Sequence, residues 1–315
     1  MRDTFLRTLT LLTRTRPDVM LITADLGFGV LDDFISQFPS QFLNAGVAEQ
    51  NMTGLAAGLA LEGRTVFTYS LGGFPTVRCL EQIRIDVCYH GANVKIVTVG
   101  GGMSYGALGA THHATEDLAI MRSLPNMVVV SPGDLWEVEE ATKALLDIRG
   151  PVYLRLDKSK APATNKPGER FELGKARTVL DGSDVTLAAT GGTVDEALQA
   201  SAILASHGVS ARVLSVHTLK PLDNALLSAA ARETAGILTI EEHAVEGGLG
   251  GAVAESLLES NSAPGFFTRL GLRSTFSSVV GSQTHLRKVY GLDAASIADA
   301  ALARLGALAE SGASL

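Results

Sequence analysis

The chain has 315 residues, 46% hydrophobic and 19% charged, which is enough apolar material for the cores of two α/β domains and too much for a disordered chain. Its net charge of -7 comes from acidic and basic residues interleaved throughout, so no basic stripe exists to follow a nucleic-acid backbone and a polynucleotide partner is excluded. No apolar run of signal-peptide length opens the chain and none later reaches the roughly 18 residues of a membrane span, so the expectation is a cytoplasmic protein without membrane contact.

β-Branched and apolar runs at 19–24, 65–70, 94–99, 127–131 and 152–156 alternate with helical patterns, the signature of right-handed βαβ units on a parallel sheet. After Asn44-Ala45-Gly46 a helix is expected with an inward stripe of Met52, Leu55, Ala56, Leu59 and Ala60, closed by Gly63. Gly54 and Gly58 cost it about 1 kcal/mol each in propensity. Close packing against a neighbouring helix or subunit would explain that cost. Cys79 and Cys88 stand nine apart in the next helical pattern, where about 100° per residue points them to opposite faces. They read as two buried free thiols.

Residues 158–170 (KSKAPATNKPGER) then interrupt the alternation with almost nothing apolar, as a linker does. The expected division is a first domain over 1–160, a linker over 161–175 and a second domain over 176–315. In the latter, strands are expected at 184–189, 212–216, 237–241 and 266–270, with helices at 193–206 and 249–260. The fold class is therefore α/β: two domains, each a mostly parallel sheet flanked by helices.

Glu49 falls in the first turn of its helix, where the dipole favours a carboxylate; alone it is only a well-placed acid. Phe67, Tyr69 and Phe74 lie on or just after the following strand, either as core aromatics or as the walls of an apolar slot. Arg78 and Gln82 read equally as site residues or as helix-surface contacts. His112 and His113, in GATHHATED, follow a glycine-rich stretch, and a mobile loop of that kind can carry a histidine into a cleft. A metal site from His112, His113, Glu116 and Asp117 is set aside, because consecutive histidines diverge and no further ligand cluster stands elsewhere. Arg155 and Lys158 close the last strand at the sheet's carboxyl edge, where an anionic tail binds, while Asp25 ends the first strand at that edge. Gly248-Leu249-Gly250-Gly251 gives a weak nucleotide-binding signal that lacks the third fingerprint glycine.

The segments GVAEQNMTGLAAGLALEGRTVFTYS, FPTVRCLEQIRIDVCY, GATHHATEDLAIMRSLPNMVVVSPGD and GPVYLRL closely resemble the pyrimidine-binding domain of the transketolase family. GVSARVLSVHTLKPLD and GILTIEEHAVEGGLGGAVAE are similar to that family's C-terminal domain, so the resemblance covers nearly the whole chain. It implies thiamine diphosphate as cofactor, with Glu49 matching the glutamate that hydrogen-bonds N1' of the aminopyrimidine. Phe67, Tyr69 and Phe74 become candidates to stack on that ring. His112 matches the histidine that contacts sugar oxygens and assists proton transfer, and His113 occupies the adjacent position. Lys158 aligns roughly with a phosphate-binding arginine, and Asp25 resembles the acidic residue near the thiazolium and the subunit contact. Where many members carry an acid four before the histidine, this chain has Leu108, which cannot accept a sugar hydroxyl's hydrogen bond and implies an unusual sugar.

No Gly-Asp-Gly occurs, although the family holds Mg²⁺ and the diphosphate with that motif. The resemblance thus implies a separate N-terminal transketolase subunit carrying the diphosphate and Mg²⁺ domain, with an α2β2 heterotetramer as the working particle and small sugars as substrates. The rival within the fold is the β subunit of a 2-oxo acid dehydrogenase, against which THHATED followed by LAIMRSLPNM argues.

Overall fold

A computed structural model describes residues 1–310. Its first sheet contains β1 (Val19–Thr23), β2 (Phe42–Asn44), β3 (Thr65–Leu71), β4 (Val94–Val99), β5 (Val128–Val130) and β6 (Val152–Leu156). The second contains β7 (Arg177–Leu180), β8 (Val185–Ala189), β9 (Ala211–Ser215), β11 (Gly236–Ala244) and β12 (Phe266–Leu272), in the order β12-β11-β8-β9-β7. Between them in sequence, β10 (Thr218–Lys220) leaves the second series and pairs antiparallel with β5, giving the first sheet the order β10-β5-β6-β4-β3-β1-β2. Apart from β10 and β7, which runs antiparallel to β9, all pairings are parallel. Every residue of β1, β4, β6 and β8 is buried, because helices cover both faces of a parallel sheet.

The expected strands of both series are present, within a few residues at their ends. Three strands have no counterpart among those expected: β2, β7 and β10 run three or four residues at sheet edges or beside them and are too short to show a period. The helix Glu49–Leu61 buries Met52, Thr53, Ala56, Ala57 and Ala60, whereas Leu55, expected inside, faces outward with Gly54 and Gly58. No atom of the chain lies within 4 Å of a Cβ placed on either glycine.

Cys79 and Cys88 both enter the same core cluster as free thiols, contrary to the expected opposite faces. The cause is a π-helical turn over Ile83–Tyr89, whose wider coil advances each residue through a smaller angle than an α-helix does. Burial lifts both thiols to about 11.

Residues 157–176 form neither helix nor strand but are strapped down. Ala161 is buried, Phe171 and Leu173 pack on the same cluster, the Thr164 amide donates to Asp134 at 3.0 Å, and Arg177 bridges Glu137 and Glu169. A second join lies nearby, where Glu242 at the end of β11 meets Arg287 at 2.6 Å and Asp157 meets Arg287 at 3.1 Å.

Candidate active site

The chemistry-bearing residues gather at the carboxyl ends of β1 to β4. Glu49 opens its helix there and is 4% exposed, placed by Met52, Ala56 and Ala60 packing against Val66 and Ile96. One of its oxygens accepts a hydrogen bond from Arg78 Nη1 at 2.8 Å, and the Arg78 side chain is 48% exposed. The same guanidinium lies over the Phe74 ring, 4.6 Å from its centroid, and the Phe74 ring meets His112 edge-on at 5.4 Å. Glu49, Arg78, Phe74 and His112 thus form one continuous row.

Gly72 makes the row possible. Its φ is +47°, and a Cβ there would stand 2.8 Å from the His112 carbonyl oxygen, so only glycine lets the turn after β3 pass this close to the histidine loop. Within that loop His112 Nδ1 lies 3.0 Å from Thr111 Oγ1. His113 is buried, which depresses its pKa and keeps the ring neutral. The glycine-rich stretch before it packs rather than swings: a Cβ on Gly101 would strike Arg155, and Gly102 pairs with Ala114. Leu108 stands 55% exposed on the short turn Gly106–Leu108, whose Gly106 carbonyl accepts from the Gly281 amide.

Two of the three aromatic candidates lie elsewhere. Phe67 and Tyr69 alternate with Val66 along β3 and point to the opposite face, into the cluster under the helix Arg2–Thr13. There Phe67 meets Phe5 at 6.1 Å, and burial holds the Tyr69 hydroxyl above its ordinary range. Phe74 alone stands by Glu49. Arg155 is also withdrawn: Nε bonds Asp117 at 2.8 Å and Nη2 donates to the Ala114 and Glu242 carbonyls, so a residue expected to meet an anionic tail is sealed in the join between the sheets. Lys158 remains exposed, its ammonium 4.3 Å above the Tyr105 ring.

Asp25 takes the left-handed conformation at φ 55° and exchanges hydrogen bonds with Asn44, through its amide at 2.9 Å and its carboxylate at 3.1 Å. That reciprocal pair joins the ends of β1 and β2 and offsets a backbone cost of about 1 kcal/mol or more. Asn44 carries no signal of this role in the sequence, and nothing local marks Arg78, twenty-nine positions after Glu49, as its partner.

The glycines at 248–251 do not cradle a nucleotide. Glu241 accepts from the amides of Leu249 and Gly250 at 2.6 and 2.8 Å, so the protein's own carboxylate fills the helix N-terminus where a phosphate would bind. Among the described residues no three His, Cys, Asp or Glu side chains converge in a way that could hold a metal ion. Glu49 and the Phe74 face do suit a flat nitrogen heterocycle, a carboxyl for a ring nitrogen and an aromatic plane for the ring.

Two family models match the chain: the transketolase pyrimidine binding domain over residues 1–164 and the transketolase C-terminal domain over residues 174–297. One of the two subunits of an apulose-4-phosphate transketolase from Phocaeicola vulgatus is 41% identical over 303 residues, covering 96% of each chain. A 6-deoxy-6-sulfo-D-fructose transketolase subunit of a Clostridium species is 38% identical over 302 residues, covering 96% of this chain and 93% of its own. A solved split-gene transketolase, an inactive β4 tetramer, superposes with a TM-score of 0.87 at 38% identity and covers 97% of both chains.

Proposed function

Because the chain belongs to the transketolase family, we propose that it serves as the pyrimidine-binding and C-terminal subunit of a split enzyme that moves a two-carbon ketol unit from an anionic ketose to an aldose. The observation that carries this reading is Glu49, buried in the first turn of its helix with Phe74 and His112 in the same row.

Bound thiamine diphosphate supplies the nucleophilic carbon that attacks the ketose carbonyl and carries the two-carbon unit between sugars. Glu49 holds a proton at the pyrimidine nitrogen, and the first-turn position strengthens any hydrogen bond its carboxylate accepts. Phe74 offers the ring a flat apolar wall. His112, at the loop facing it, binds sugar oxygens and moves a proton, while the neutral, buried His113 anchors the loop from behind. Lys158 at the rim receives the anionic tail, a part no longer open to Arg155. Asp25, fixed by Asn44, serves the opposite end of the cofactor and the subunit contact.

The diphosphate and its Mg²⁺ belong, on this reading, to a partner chain, and the particle is an α2β2 heterotetramer with the cofactor between unlike subunits. The inactivity attributed to the related β4 tetramer fits a subunit that needs its partner. The division into 1–160, a connecting 161–175 and 176–315 is part of the same proposal. Leu108 points to a sugar whose hydroxyl pattern differs from the common pentose phosphates, and relatives named for apulose 4-phosphate and 6-deoxy-6-sulfofructose make branched and sulfonated sugars the first to try.

The test is to co-purify this chain with a chain bearing the Gly-Asp-Gly motif and to assay a panel of anionic ketoses against aldose acceptors. Ketol transfer by the pair, absent from either chain alone, is the expected result. Decarboxylation of a 2-oxo acid with no ketol transfer, or turnover by this chain alone, would overturn it.

A further inference from the structure

We infer that Arg78 is an internal stand-in for the cofactor's aminopyrimidine, a plug that occupies the ring's seat and must swing out before the cofactor can bind. The inference rests on the reading of Glu49 and Phe74 given above. It follows from what the guanidinium touches. One N–H donates to Glu49 at 2.8 Å while the plane lies over Phe74 at 4.6 Å, so a single group takes both surfaces proposed for the ring.

The chemistry of the two occupants matches. A guanidinium and a protonated aminopyrimidine are both planar, delocalised N–C–N systems that donate to a carboxylate in plane and stack on an aromatic face. Both cannot hold the same Phe74 face. The plug is also able to leave, since its own side chain is 48% exposed while the carboxylate it covers is 5% exposed. Displacement therefore returns the arginine to water at small cost, and the incoming ring takes over the buried carboxyl.

A half-exposed ion pair of this kind contributes about 1 kcal/mol, so losing the plug should tighten cofactor binding about five- to tenfold. The experiment is a double-mutant cycle on the assembled two-subunit enzyme, with the Kd for thiamine diphosphate at saturating Mg²⁺ read by calorimetry. Arg78→Ala is expected to lower the Kd by that factor with Glu49 present, and by much less in the E49Q background, where the plug has lost its anchor. Arg78→Met, which keeps the length without charge or plane, should behave as R78A does and replaces it if R78A fails to assemble.

A Kd that stays constant or rises in R78A and R78M, while E49Q alone still weakens binding, overturns the plug and leaves the cofactor site in place. If E49Q changes neither the Kd nor turnover, the reading of Glu49 itself has failed, and the plug falls with it.

Discussion

Glu242 and Arg287 meet at 2.6 Å in the join between the two sheets, and both are buried. The same guanidinium reaches Asp157 at 3.1 Å and Glu196 at 3.3 Å, so one cation neutralises three carboxylates drawn from both halves of the chain. Glu242 in turn accepts the Met103 amide at 2.5 Å, which ties this join to the loop that bears His112.

Arg287→Ala is expected to cost about 3–5 kcal/mol, because removing one partner leaves buried carboxylates without compensation. Urea denaturation of the isolated chain measures it, and a loss below about 1 kcal/mol would contradict the role given to this pair.

The second prediction concerns pH. Lys95, fully buried on β4, donates to the carbonyls of Ile148 and Gly150 at 2.7 and 2.8 Å, and burial lowers its pKa to about 7. An unfolded lysine keeps its proton to about 10.4. Between those values the unfolded chain binds more protons than the folded one, so stability rises with pH; below about 7 both states are protonated and the penalty is full and constant. The gain across the window is on the order of a few kcal/mol. In Lys95→Met the slope from this group should vanish, whatever its baseline stability, and equal slopes for both proteins from about pH 7 to about pH 10 would refute the assignment.

Gly54 and Gly58 lie on the open side of the helix Glu49–Leu61. With no neighbour within the chain, replacing both by leucine should stabilise the isolated subunit, by about 0.5–1 kcal/mol per site from helix propensity alone. The same change blocks close approach of another backbone, so assembly should fail. Thermal melting and light scattering separate the effects; a double variant that still assembles normally would show that the helix face is not an interface.

Leu108→Asp restores the hydrogen-bond acceptor that many transketolases carry at this position. Because Leu108 is exposed, stability should move by no more than about 0.5 kcal/mol. The kcat/KM ratio between a pentose phosphate and the best native ketose should shift toward the pentose phosphate at least tenfold, about 1.4 kcal/mol. An unchanged ratio would show that Leu108 does not read the sugar.

The long strands were legible because burial on both faces leaves continuous apolar runs, as at 94–99 and 152–156, and those bounds match β4 and β6. The site was legible only in part. Glu49 and His112 come to the same edge as their positions in the alternation require, but strand alternation put Phe67 and Tyr69 on the far face, and pairing with Asp117 drew Arg155 inward. Neither outcome shows in a one-dimensional pattern, since the first depends on which face the Glu49 helix covers and the second on a residue thirty-eight positions away. Arg78 illustrates the same gap, a surface residue by spacing and a site residue by geometry.

The antiparallel strand Thr218–Lys220 sets an order on how the molecule is made. On the ribosome, the valines of β5 emerge about ninety residues before the strand that covers their outer side, a delay on the order of ten seconds at ordinary elongation rates. Through that interval an apolar edge stands ready to pair with any other extended chain. A gene truncated after the first half should therefore yield aggregates, and fusing residues 211–223 back onto it should restore a dispersed product.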